Sequence, residues 1–135
     1  MATTVTTTVL EDGPRHAVIH RTGVQTDGTG ETNAVFANPS TFSNVTPREA
    51  ASHFAVKKVR YSCAGFGNVQ LFFNSSANDP AVKIPGSDAG EIEFDPPLTD
   101  PQTTGSTGIV LLTTTDGAVA DNATYDITLH LIKKQ

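Results

Sequence analysis

The chain has 135 residues, a formal net charge of −5 and only nine Lys and Arg residues. One domain spanning residues 1–135 with a single core is expected at this length, and so few cations argue against a nucleic-acid binder, which must neutralise many phosphates. No stretch approaches the ~20 apolar residues that cross a bilayer, and residues 1–5 hold neither a basic segment nor an apolar run, so neither a membrane association nor a signal peptide is expected.

The N-terminal residues 1–10 are predicted to form a strand or an arm. Val5, Thr7 and Val9 alternate with other threonines, which favours one dry and one wet face. Two placements stay open: an ordinary edge strand in the chain's own sheet, or a strand added to a neighbour's sheet edge by main-chain pairing. Thr4 and Thr6 are candidate partner contacts in the second case.

The rest of the chain also follows a period of two. Apolar alternation or short apolar runs, with turn residues between them, occur at 15–20, 54–63, 69–73, 91–94, 109–112 and 125–131. About eight or nine short strands are therefore predicted, in an all-β, jelly-roll-like antiparallel sandwich. One short helical turn is predicted near residues 46–52, because Thr46 is a suitable N-cap, Pro47 suits the first helical position and Glu49 completes a capping box.

The stretch DGTGETNAVF at 27–36 has the glycines and acids of a binding loop, but no known pattern fits. It lacks the Lys of a phosphate loop, the third glycine of a dinucleotide loop and the spacing of a calcium loop. A structural turn entering a strand is the main interpretation, with a cation site or a partner surface as alternatives. On the partner reading, Asp27, Glu31 and Asn33 are exposed contacts.

Residues 95–106 form the longest segment without strand periodicity. Pro96, Pro97 and Pro101 lie in it, and they are further candidate contacts. Such a segment in a compact domain is predicted to be either a contact arm or a plain surface crossover.

No catalytic residues and no cofactor or metal site are predicted. His16 and His20 are four residues apart, which on a strand separates them by ~13 Å, too far for one metal ion. Glu91 and Glu93 are expected to form a solvated face rather than a catalytic pair. Cys63 is expected to be a core residue, in keeping with a reducing cytosol.

Seven segments form a recognisable series along the chain: HAVIHRTG at 16–23, DGTGETN at 27–33, VRYS at 59–62, VQLFF at 69–73, EIEF at 91–94, TGSTGIVL at 104–111 and YDITLHLIKK at 125–134. Taken in this order, they resemble the head-decoration, or cement, proteins of tailed bacteriophages. The resemblance runs over nearly the whole chain.

This resemblance implies a virion structural protein that binds the outer surface of an assembled capsid and stabilises it. It implies a β-sandwich without enzyme activity or cofactor, a homotrimer at three-fold points, and the major capsid protein lattice as partner. The alternative is a carbohydrate- or receptor-binding module of a virion appendage, for which Tyr61, Phe66, Phe72 and Tyr125 are candidate sugar-stacking residues. A β-sandwich hydrolase is a third hypothesis, without a motif to support it.

Overall fold

The structure, a computed structural model, describes residues 3–13, 15–25, 30–39, 53–101, 104–114 and 119–134. Nine strands cover most of them, and no helix within these ranges is long and apolar enough to span a bilayer. The strands are β1 (Thr3–Asp12), β2 (His16–Gln25), β3 (Ala34–Ala37), β4 (His53–Phe66), β5 (Asn68–Phe73), β6 (Asp79–Pro85), β7 (Asp88–Thr99), β8 (Val110–Thr113) and β9 (Val119–Lys134).

The strands form two antiparallel sheets, which confirms the predicted all-β sandwich. One sheet has the order β1-β2-β9-β4-β7 and the other β3-β8-β5-β6. From β2 to β9 every connection except the one between β5 and β6 crosses from one sheet to the other, as in a jelly roll, and β1 is a further strand on one edge. The number of strands agrees with the prediction, although β4 and β9, with 14 and 16 residues, are not short.

The core lies between the sheets, and β2, β5 and β9 contribute every second residue to it. The alternation in β9 is complete from Ala123 to Lys133, and its inward residues include Ile127 and Leu129, both fully buried. The apolar run predicted as a central strand forms β8, which pairs with β3 and β5 on its two sides. Since β9 and β4 lie in the middle of the larger sheet, their inner faces supply much of the core.

The predicted dry face of β1 is not buried. Val5, Thr7 and Val9 do point to the inner side of the sheet, in register with Gly23, Arg21 and Ile19. However, β1 is the fifth strand of a sheet that faces only four, and it pairs with β2 alone. Val9 is therefore 50% exposed, and Leu10, the extra residue of a bulge, is 59% exposed.

The prediction of an irregular segment at 95–106 is wrong for its first part. Residues 95–99 complete β7, which resumes its pairing with β4 after an irregularity. Pro96 and Pro97 fit there because they lie in the interruption between the pairs Lys58–Glu93 and Val56–Leu98, where no ladder hydrogen bond to β4 requires their N–H groups. After the strand, buried Asp100 accepts a hydrogen bond from Ser106 at 3.1 Å. The helical turn predicted at 46–52 lies outside the described residues.

Candidate contact surface

A buried polar network joins the two sheets near the β1 edge. Arg21 points inward from β2, in phase with Ala17 and Ile19, and is 8% exposed. Its Nη2 donates to Glu31 Oε1 at 3.0 Å and its Nε to the Tyr125 hydroxyl at 3.0 Å. That hydroxyl in turn donates to Glu31 Oε2 at 2.7 Å. Each charged group is thus paired and hydrogen-bonded, as a buried ion pair requires.

A glycine makes room for the tyrosine in this network. Gly23 lies directly opposite Tyr125 in the β2–β9 ladder. A Cβ added at Gly23 would be 2.5 Å from the ring carbon Cε2, so the ring lies across the bare backbone of β2. Burial, followed by the hydrogen bond to Glu31, raises the pKa of Tyr125 well above its usual range. The phenol therefore stays protonated and remains a donor to the carboxylate.

Arg21 also connects the edge strands of the two sheets. Its Nη1 donates to Thr7 Oγ1 in β1 and to the Val35 carbonyl in β3, both at 3.2 Å. One side chain therefore holds β1 and β3 on the same side of the sandwich. We call this side, formed by β1, β3 and residues 31–33, the β1/β3 edge.

The segment before β3 is fixed to the end of β8. Glu31 N donates to Thr114 Oγ1, and Thr114 N donates to the Glu31 carbonyl, both at 2.8 Å. Asn33, at a φ of 52°, donates through its backbone N–H to Thr113 Oγ1 at 3.0 Å. Asn33 Oδ1 accepts a hydrogen bond from Asn78 at 3.2 Å. Of the predicted turn entering a strand, the strand is β3 and these bonds hold the residues just before it, while residues 27–29 lie outside the described residues.

The structure revises the candidate contacts from this stretch. Glu31 was expected to be an exposed contact, but its side chain is 10% exposed because it pairs with Arg21 and Tyr125. It is a structural residue. Asn33 is exposed, and Asp27 lies outside the described residues.

The other candidate contacts fall on opposite edges of the larger sheet. Thr6 is exposed in β1, where Thr4 also lies. Pro96 and Pro101 are exposed in and just after β7, and Pro97 is half-buried. The two sets are separated by β2, β9 and β4, so they do not form one surface.

The most apolar exposed surface lies on the β1/β3 edge. Among the described residues, the exposed large hydrophobic side chains are Val9, Leu10 and Val35, at 50%, 59% and 49%. All three belong to β1 or β3. Their side chains do not share one direction, because Val9 points to the inner side of its sheet and Val35 points away from the side of β3 on which Phe36 is buried.

The outer face of the larger sheet is polar and carries three histidines. His20 Nε2 lies 2.6 Å from Asp126 Oδ1, while His16 and His130 line a shallow depression of about 260 Å³ together with Glu11 and Lys57. Burial, and then the nearby Lys58, lowers the pKa of His130. The described residues contain no group of three side chains suited to hold a metal ion.

The remaining residues singled out from the sequence lie in surface ion pairs or in the core. Glu91 is 40% exposed and pairs with both Lys58 and Arg60 at 3.4 Å. Cys63 is 6% exposed, as predicted for a core residue, and burial raises the pKa of its thiol to about 11. Of the aromatic residues proposed to stack on sugars, Phe66 and Tyr125 are buried at 6% and 2% exposure, and their rings pack against each other at 6.1 Å.

Two buried basic residues were missed in the sequence, although the period of two indicates both. Arg21 continues the inward series of β2, and Lys133 continues that of Leu129 and Leu131 in β9. The Lys133 side chain is fully buried and pairs with the Asp12 carboxylate, while its N–H donates to the Arg15 carbonyl at 2.7 Å. The signal in the sequence for these buried charges was a charged residue at a position where the period of two places a core residue.

Comparisons with known proteins give a likeness at the level of structure and none at the level of sequence. No protein-family model matches the chain, and no curated protein does. Among solved structures, the chain is similar to a cupin domain from Bordetella pertussis Tohama I, with 10% sequence identity and a TM-score of 0.31, over 97% of this chain and 94% of that one.

Proposed function

We propose that this protein is a non-enzymatic virion structural protein that binds the outer surface of an assembled phage capsid and stabilises it. The proposal takes the major capsid protein lattice as the partner and a homotrimer as the bound form. It rests on the resemblance of segments such as HAVIHRTG and YDITLHLIKK to cement proteins, and on a surface suited to protein contacts.

The observation that best supports an assembly role is the β1/β3 edge. Its exposed apolar residues Val9, Leu10 and Val35 stand on strands that Arg21 braces from inside. A rigid edge with apolar side chains suits a permanent protein contact, because little conformational entropy is lost when such a surface is covered. By contrast, the charged side chains of Arg21, Glu31 and Lys133 take part in buried structural contacts.

The test is binding to shells assembled from the major capsid protein encoded in the same genome. Purified protein is mixed with these shells, which are then sedimented and heated. We expect saturable co-sedimentation and a higher melting temperature of the decorated shells, because a ligand that binds only the assembled state stabilises it. Sedimentation of the shells without the protein would contradict the proposal.

A matched pair of variants addresses the surface. Val9→Asp places a charge on the β1/β3 edge and should weaken the co-sedimentation. Thr124→Asp places the same charge on the exposed outer face of β9 and should not. If both variants weaken the co-sedimentation equally, or if neither weakens it, the β1/β3 edge is not the capsid contact. Specific binding of the free protein to a glycan array would instead favour the sugar-binding alternative.

A further inference from the structure

Three of the four sheet edges carry features that discourage pairing with another strand. Free edges present unpaired N–H and C=O groups, and proteins block them with proline, lysine, bulges or short strands. The outermost strand β7 contains Pro96 and Pro97. The outermost strand β6 contains prolines at positions 80 and 85, an exposed Lys83 and an irregular pairing. The outermost strand β3 has only four residues.

The fourth edge, β1, carries almost none of these features. Residues 3–10 contain no proline, lysine or charged side chain, and pairing with β2 is regular from Thr3 to Val9. The single bulge falls at Leu10, beyond that stretch. Since β1 is additional to the eight-stranded jelly roll, none of the four described strands of the opposite sheet lies across its inner side. The result is a long, regular and uncharged strand edge.

The sequence of β1 identifies the partner that this edge fits. Val5-Thr6-Thr7-Thr8-Val9 reads the same in both directions. When two copies of such a strand pair antiparallel about a two-fold axis at Thr7, each valine faces a valine and each threonine a threonine. Valine and threonine pairs across strands are favourable in sheets. Such self-complementarity is what a two-fold, isologous contact requires.

The charges of β1 favour the antiparallel arrangement over the parallel one. Glu11 and Asp12 stand at the C-terminal end of the strand. The Asp12 carboxylate is paired with Lys133, but parallel pairing would bring Glu11 beside Glu11 of the second copy, and like charges directly opposite each other are destabilising. Antiparallel pairing about Thr7 separates the two acidic ends and places Glu11 opposite Thr3.

We propose that β1 is an interface between two copies of this chain, which pair antiparallel about a two-fold axis at Thr7. The two five-stranded sheets then form one continuous ten-stranded sheet, and the exposed Val9 of each copy contacts Val5 of the other. One strand pair buries less than the ~1,000 Å² of a stable interface, so the dimer is weak and its population depends on concentration. Because Val9 and Leu10 belong to β1, a copy paired in this way cannot also bind the capsid through the β1/β3 edge, so the pairing is a property of the free protein and is tested without shells. It is independent of a three-fold contact made elsewhere.

Two charge variants and their mixture test the interface. Thr6→Lys with Thr8→Lys places lysines opposite lysines across the axis, and Thr6→Glu with Thr8→Glu does the same with acids. The control is Thr124→Lys with Thr128→Lys, which adds the same charge to the same sheet face on the central strand β9. Masses are measured by sedimentation velocity between about 10 μM and 1 mM, a range suited to weak association, and circular dichroism checks that every variant is folded.

We expect the wild type and the control to approach twice the chain mass of 14.2 kDa with rising concentration. Each charged variant alone should stay at one chain mass, and an equal mixture of the two should associate again because lysine then faces glutamate. If a trimer also forms through another surface, two trimers joined by β1 give a largest species of six chains. The Lys variant should then reduce the largest species to three chains. A wild type that stays monomeric, or an association that the Lys variant leaves unchanged, would overturn the proposal.

Discussion

Neutralising Glu31 tests whether the buried network holds the β1/β3 edge together. Glu31→Gln keeps the size of the side chain but removes its charge, which leaves the Arg21 guanidinium paired only with the neutral oxygens of Thr7, Val35 and Tyr125. Removing one partner of a buried ion pair lowers the free energy of unfolding by ~3–5 kcal/mol. Because both side chains are 10% exposed, we expect the lower end of that range, about 3 kcal/mol.

The assay is urea unfolding followed by circular dichroism, with thermal unfolding in parallel. For a domain of this size, a loss of about 3 kcal/mol corresponds to roughly 10 °C in melting temperature. Glu91→Gln is the matched control, since Glu91 is also paired with basic side chains but is 40% exposed. Surface pairs contribute up to about 1 kcal/mol, so the control should change little.

A second variant separates the charge from the packing. Arg21→Met with Glu31→Leu replaces the pair by apolar side chains, and such replacements are often neutral or stabilising. We expect this double variant to be more stable than Glu31→Gln alone. If Glu31→Gln and Glu91→Gln lower the free energy of unfolding equally, the network does not contribute the stability that its burial implies.

Three further predictions concern single residues. Gly23→Ala should lower the free energy of unfolding by about 1–3 kcal/mol, because the Cβ of the new alanine would overlap the Tyr125 ring. Urea unfolding measures this change. An unchanged urea midpoint would contradict the close contact between the two residues. Cys63 in the folded protein should react with a thiol reagent at pH 8 at least ~100-fold more slowly than Cys63 in the urea-unfolded protein. The reason is that a pKa of about 11 instead of 9.0 reduces the thiolate fraction by that factor. Equal rates in the two states would mean that the thiol of the folded protein is accessible. The free energy of unfolding should fall as the pH drops below 6.5, because the lowered pKa of folded His130 makes the unfolded state bind more protons. His130→Gln should reduce the dependence of the free energy of unfolding on pH in this range. An identical pH profile for the variant and the wild type would contradict this role of His130.

The sequence determined the fold class because strand periodicity is a local property. The alternation at 125–131 and the apolar run at 109–112 predicted β9 and β8, since side chains of a strand point to opposite faces at every step. The period of two also held the signal for Arg21 and Lys133, whose phase places them inside. The core position of Cys63 followed from the same pattern.

Only the tertiary structure decided which predicted faces are buried and which residues meet. The alternation in β1 has the predicted phase, yet Val9 is exposed because five strands face four and β1 is the additional one. Glu31 is drawn inside by Arg21 and Tyr125, which are 10 and 94 positions away along the chain. Burial depends on which strand lies across the sandwich, and strand order is set by long-range pairing that a local pattern does not encode.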